Sequence, residues 1–370
     1  MTADTSAEYT GYAQYLERPS FHRKFTLPAT ADHGALDVGF SDLGRQPAST
    51  GDQEDSLPVV LFMPGMFASR LHGVLMDVVG QKIGVRVVTV DRPGMGQSTD
   101  VKLTQRVAIW VELVPQLLAH LGIRHVSLVS HSAGTIYLLN TLYSCRDVLS
   151  PTRPYAALMA PWVDVEHSGS KLMQTVRLIP NALFGSWNTV AKTIARNIAP
   201  AIGSSLAFTG KCLQRIRPAT SDEPEPSMNR LHWQREYGLS SEFLDVVIEM
   251  VVSDMFLENT AGANSEARQC LKKEGKGMRG VYEELDVFVQ DLVAQERNRA
   301  QEGKLRVKVF FAEDDVMIGK GGQRYMDACW DHESEFADVL EYSSATVENT
   351  DHDNVIMTAA VLEEIINDCR

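Results

Sequence analysis

Cysteine is scarce in this chain, and the few residues present are scattered. Cys145, Cys212, Cys270, Cys329 and Cys369 make five in all, and no C-x-x-C pair occurs. The odd number and wide spacing argue against a disulfide framework and offer zinc no ligand set, which fits a reducing compartment. Long apolar runs are missing too. No uncharged stretch approaches the ~20 residues that a bilayer span needs, so no stable membrane insertion is expected. Basic charge is in short supply: 35 Lys and Arg face 48 Asp and Glu, for a net charge of −13 and a pI near 5.3. Nucleic-acid binding rests on neutralising phosphates, so no nucleic-acid partner is expected. Residues 1–8 are polar and lack the basic-then-apolar order of a secretory signal. The last four, Asn367-Asp368-Cys369-Arg370, form neither a prenylation box nor a peroxisomal address. The expectation is a cytoplasmic protein, and the sequence leaves a homodimer open.

What is present is ordinary for a folded chain: 44% hydrophobic and 22% charged residues over 370 positions. That length exceeds the need of one small core, so a main domain with a sizeable insertion is expected. Residues 1–20 read as a polar arm, followed by strands near 21–27 and 35–43. Short apolar runs rich in β-branched residues then recur at 57–63, 85–90, 126–129 and 155–159. Residues 103–121 carry apolar side chains at helical spacing (Val107, Trp110, Val111, Leu113, Val114, Leu117, Leu118, Leu121). Fully apolar strands alternating with amphipathic helices imply parallel crossovers and a sheet buried on both faces. The pattern breaks after Trp162 and turns helical, then a strand returns at 305–311. A helix over 321–330, a strand over 339–343 and a last helix over 354–366 complete the chain. The expected fold class is therefore α/β: a mostly parallel central sheet with flanking helices and an inserted helical cap. Its parts are an arm at 1–20, a core at 21–163 and 304–370, and a cap at 164–303. In such sheets chemistry gathers at the carboxyl ends of the strands.

The strongest local signal is Ser130-His131-Ser132-Ala133-Gly134, between an apolar strand and a helical run. Small residues at 130 and 134 let the turn tighten, which places Ser132 at its tip beside a helix N-terminus. Unpaired N–H groups there can stabilise a developing oxyanion. A serine hydroxyl also needs a base to take its proton. The last loop before the last helix holds His352, and acids stand at Asp314 and Asp315 after a late strand, with Asp164 a third candidate.

These motifs resemble the α/β-hydrolase superfamily. The elbow matches small-x-Ser-x-small at Ser130, Ser132 and Gly134, and Asp91-Arg92-Pro93-Gly94-Met95-Gly96-Gln97-Ser98 is similar to the D-R-P-G-x-G-x-S turn of many members. The likeness covers roughly residues 57–163 and 305–366. It implies Ser132 as nucleophile, His352 as base and Asp315 as the acid that orients the imidazole, in the chain order of that fold. It also implies oxyanion donors at the N–H groups of Ala133 and Met66, where Pro64-Gly65 stands for the usual His-Gly pair. Phe67, His131 and Trp162 are implied as residues around the substrate. No metal or organic cofactor is implied.

The cap decides the substrate in this superfamily. From 171 to 217 there are seven basic residues (Lys171, Arg177, Lys192, Arg196, Lys211, Arg215, Arg217) and no acidic one. They read as helices packing on an acidic core, or as a basic lid for an anionic or amphipathic ligand. Trp187, Phe208, Met66 and Phe67 favour a small hydrophobic substrate. The expected activity is a serine hydrolase cleaving an ester or lactone through an acyl-enzyme. Three alternatives stay open: a lyase or cyclase on the same scaffold, an iminopeptidase-like peptidase, and a non-catalytic ligand-binding protein.

Overall fold

A computed structural model describes residues 13–47, 57–179, 227–273, 277–299 and 302–370. Most of the basic segment, with Trp187, Lys192, Arg196 and Phe208, lies outside the described residues, as does most of the arm.

Eight strands form one sheet in the order β1-β2-β4-β3-β5-β6-β7-β8. They are β1 (Arg23–Leu27), β2 (Leu36–Gly44), β3 (Val59–Met63), β4 (Arg86–Val90), β5 (Ser127–His131), β6 (Tyr155–Met159), β7 (Leu305–Ala312) and β8 (Leu340–Val347). The first two pair antiparallel at one edge, and all neighbours from β4 to β8 are parallel. The parallel strands are short and apolar because both their faces are covered. Successive side chains go to opposite faces. Leu61, Leu128, Leu158 and Val309 enter one apolar cluster, while Val60, Phe62, Val129 and Phe310 enter a second on the other side.

The helices that fill the first cluster include α2 (Arg106–His120) and α3 (Gly134–Ser144); α1 (Val74–Ile83) fills the second. Between β6 and β7 the described chain is helical: α4 (Lys171–Arg177), α5 (Met228–Tyr237), α6 (Ser241–Leu257), α7 (Ala261–Cys270) and α8 (Leu285–Arg297). These are not a detached layer. Trp233, Val247 and Val251 of α5 and α6 join the second cluster, and Phe288, Val289 and Leu292 of α8 join the first. Each such aliphatic or aromatic side chain contributes about 1.5–3 kcal/mol on full burial. Helices α9 (Gly319–Trp330) and α10 (Ala359–Asp368) close the fold.

One element departs from its sequence expectation. The helix expected over 354–366 splits into a 3₁₀ turn (Asn354–Met357) and α10, with Thr358 extended between them. The cause is tertiary. Asn229 and Trp233 of α5 donate to the Met357 carbonyl at 3.0 and 2.9 Å, and Asn229 accepts the Ala359 N–H at 2.9 Å. A side chain from another helix thus caps α10 where its own sequence provides no side-chain cap.

The register aligns the strand ends. Met63 stands beside Ser130, His131 beside Met159, and Met159 beside Phe310. The loops after β3, β5, β6 and β7 therefore emerge at one edge, and the loop after β8 comes out at the same edge.

Candidate active site

Ser132 follows β5 directly and has φ +50°, a conformation that residues with a side chain rarely adopt. Such strain costs on the order of 1–3 kcal/mol and persists only where the surroundings hold it. Here the Ser132 N–H donates to the Met159 carbonyl at 3.1 Å, and its own carbonyl accepts from Thr135 and Trp162 at 3.0 and 3.2 Å. Gly134 is required by space: a Cβ there would overlap the Met63 carbonyl oxygen. The turn can be this tight only because residue 134 has no side chain, and the tightness presents the Ser132 hydroxyl.

His352 comes from the loop after β8. Its Nε2 lies 2.7 Å from Ser132 Oγ, and its Nδ1 lies 2.7 Å from Asp315 Oδ2. The second oxygen of Asp315 accepts the N–H groups of Met317 and Ile318 at 2.9 and 2.8 Å. The carboxylate is acceptor-only, so Nδ1 carries the proton and Nε2 is left to accept the serine O–H. Burial alone would lower the His352 pKa, but the charge and hydrogen bond of Asp315 outweigh it and raise it to about 9. Burial works against the charged form of Asp315 as well; the His352 charge and the two N–H donors overcome it and hold the carboxyl below its usual range.

Both ring nitrogens of His352 are thus taken, one by Ser132 and one by Asp315. The other acids stand elsewhere. Asp164 is buried and ion-paired with Arg279 and with Lys272, the latter at 2.9 Å. Asp314 is exposed, and its N–H ties the loop to the Thr350 carbonyl at 3.0 Å.

His131, next to the serine, is arranged differently. Its Nε2 donates to the His352 carbonyl at 2.8 Å. Burial, followed by the charge of His352, pushes its pKa down to about 3, so its ring is neutral. Among the described residues, His131, His352 and Asp353 each offer one atom within 4.8 Å of the others, a spacing that could suit a metal ion. The hydrogen bonds just given already engage His131 Nε2 and both ring nitrogens of His352.

The loop after β3 passes against the serine. A Cβ on Gly65 would come within 2.8 Å of His131 Nδ1 and 3.3 Å of Ser132 Cβ. The Ala68 N–H closes a turn onto the Gly65 carbonyl at 3.1 Å, with Phe67 at φ +65°. Neither the Met66 nor the Ala133 N–H has a hydrogen-bond partner among the described residues. Phe67 is half-buried, its ring centroid 6.1 Å from that of Phe256 in α6. Trp162 is 1% exposed and packed in the core, with its indole N–H unpaired among the described residues.

This serine elbow, with an imidazole and a buried carboxylate in line, sits on a sheet whose pattern matches a known family. A sequence profile of the alpha/beta hydrolase family matches residues 60–361. The chain belongs to that family. Solved structures agree on the fold. A carboxylesterase of the thaumarchaeon Nitrososphaera gargenis is 13% identical with TM-score 0.51, covering 93% of this chain and 96% of its own. The enol-lactonase of Burkholderia xenovorans is 13% identical with TM-score 0.50, covering 90% and 96%. An epoxide hydrolase of Vigna radiata is 16% identical with TM-score 0.51, covering 95% and 98%. No curated protein matches the sequence significantly. The three neighbours bear different activities on one fold, so the chemistry of this family member has to be argued from its own site.

Two residues behind this site were not singled out in the sequence. Arg92 lies in the quoted turn after β4, and Glu266 lies in α7. Both are fully buried and ion-paired at 2.6 Å. Arg92 stands between Asp91 and Pro93 in that turn, where no local pattern shows what it holds, and nothing local marked Glu266.

Proposed function

We propose that this family member is a serine hydrolase that cleaves an ester or lactone of a small hydrophobic molecule through an acyl-enzyme. The observation that carries the reading is the unbroken contact from Asp315 through His352 to Ser132, 2.7 Å at each link.

The steps follow from the donors and acceptors. Nε2 of His352 takes the proton of Ser132 Oγ as that oxygen attacks the substrate carbonyl carbon. The carbonyl oxygen gains negative charge and meets the N–H groups of Ala133 and Met66. Asp315 stabilises the imidazolium and keeps its ring in place without accepting its proton. The imidazolium then protonates the leaving alcohol as the carbon–oxygen bond breaks. Water repeats the sequence on the acyl-enzyme, releasing the acid and restoring the serine. Met66 and Phe67, with Phe256 beyond, form an apolar flank, which favours a hydrophobic acyl group over a sugar. The helices between β6 and β7 serve as the cap over this edge.

The test joins two measurements. A fluorophosphonate probe should label the wild-type protein at Ser132 and leave Ser132→Ala unlabelled. A screen of acyl esters, lactones and amides in ¹⁸O-water should then place the label in the product acid. Absence of labelling at Ser132 would remove the serine from the mechanism. Labelling of the serine with turnover but no ¹⁸O in the product would replace hydrolysis by lyase or cyclase chemistry.

A further inference from the structure

We infer that Arg92 is a positioning residue for the oxyanion site, acting through the backbone of the loop after β3. This rests on the serine-hydrolase reading and adds to it the element that aims the Met66 N–H.

The argument begins with the peptide unit. No cis peptide bond occurs among the described residues, and a trans unit is planar, with its C=O and N–H pointing in opposite directions. Whatever holds the Gly65 carbonyl therefore sets where the Met66 N–H points. The Gly65 carbonyl accepts from Arg92 Nη2 at 2.8 Å, and the preceding Pro64 carbonyl accepts from Arg92 Nη1 at 2.7 Å. One rigid guanidinium thus clamps two successive carbonyls on the side away from the unpaired Met66 N–H. The Ala68 N–H on the same Gly65 oxygen, at 3.1 Å, closes the turn but spans no second carbonyl.

A buried guanidinium needs an anion. Glu266 of α7 supplies it with both oxygens, to Arg92 Nε at 2.6 Å and Nη2 at 2.9 Å. The planar fork of arginine reaches a carboxylate and two carbonyls at once, and a lysine ammonium cannot. Arg106 shares Glu266 at 3.0 Å, but its other hydrogen bonds go to Pro93 and Tyr137, and among the described residues none goes to the Gly65 turn. The helical segment between β6 and β7 is thereby linked to the oxyanion donor by two contacts: Glu266 to Arg92, and Arg92 to Gly65.

The two arginines allow a controlled experiment. Arg92→Lys and Arg106→Lys are compared with wild type, using p-nitrophenyl butyrate as substrate and an alkyl trifluoromethyl ketone, whose serine adduct carries an oxyanion. A fluorophosphonate probe titrates the serine in parallel. Removing one oxyanion donor costs about 10²–10³ in kcat in a well-studied protease. Misaiming one should cost a smaller ~10–100-fold, with KM little changed and ketone affinity weakened by a similar factor. Arg106→Lys should lower the thermal midpoint yet leave kcat and ketone affinity near wild type. The inference is overturned by a folded Arg92→Lys with unchanged kcat and ketone affinity, or by an Arg106→Lys that matches it. Should Arg92→Lys fail to fold, a crystal structure of the wild-type ketone adduct decides: the adduct oxygen sits on the Met66 N–H with Arg92 still on Gly65, or the inference is wrong. Failure of the probe to label the wild-type serine is a different result, since it defeats the serine reading itself.

Discussion

The loop after β8 and the loop after β3 both reach Ser132, and they are held there by opposite means. The first delivers a side chain. His352 is fixed by the Asp315 carboxylate, which is fixed in turn by two backbone N–H groups. The second delivers backbone. The Met66 N–H owes its direction to carbonyls clamped by Arg92. Proton transfer requires specific side-chain chemistry, so substitution of His352 in the first loop is expected to abolish it. Charge stabilisation by an N–H tolerates any side chain at residue 66, so the vulnerable points lie in the residues that hold the peptide.

The largest expected effect tests the first loop's target. Ser132→Ala should lower kcat by roughly 10⁶-fold, as nucleophile removal does in a comparable triad; activity within tenfold of wild type would end the proposal. Next comes Asp315→Asn, which keeps the shape but disturbs the tautomer of His352. About a 10⁴-fold loss in kcat is expected, against little change for Asp314→Asn. Equal losses at the two positions would contradict the distinction drawn between them.

Acidity gives a third contrast, between two imidazoles 5.3 Å apart. His131 has a pKa of about 3 and His352 about 9, the difference being that Asp315 contacts only the latter. The base acts when neutral, so kcat/KM should climb about tenfold per pH unit and level off only above about pH 9. A limb centred near pH 3 would point to the wrong histidine. For stability the sign runs the other way. The folded pKa of His352 exceeds the unfolded value of 6.5, so its pairing stabilises fully below about 6.5 and that contribution is lost as pH rises through about 9. Hydrogen exchange or thermal midpoints across that range should fall in wild type and fall less in Asp315→Asn.

The smallest expected effect lies away from both loops. Asn229→Ala removes the cap on α10 and should cost about 1 kcal/mol of unfolding free energy with kcat unaltered. A large loss of activity would mean that α5 reaches the site more directly than its bonds to Met357 and Ala359 imply.

Much of this was legible before any coordinates. A run such as Val59–Met63 has no polar alternation, and only a sheet covered on both faces can bury it. Ser132, His352 and Asp315 could be proposed from sequence because their residue types suit the chemistry and their chain order is that of the family they resemble. The loop proposed to hold the oxyanion could be placed at Pro64-Gly65 from sequence, but not what would hold its peptide. Arg92 and Glu266 lie 174 residues apart, and no local pattern relates them. The split before α10 has no local sequence signal for a similar reason: its cap is donated by another helix.

The sequence by itself determined the alternation of strands and helices, the tight turn at Ser132 and the identities of the groups proposed to exchange a proton, because periodicity, residue size and side-chain chemistry act locally. Tertiary structure alone decided which acid meets His352, which histidine is kept neutral and which arginine holds the Gly65 carbonyl. Those outcomes depend on burial and on distances of about 3 Å between distant parts of the chain, and such distances exist only once the sheet has brought its loops to one edge.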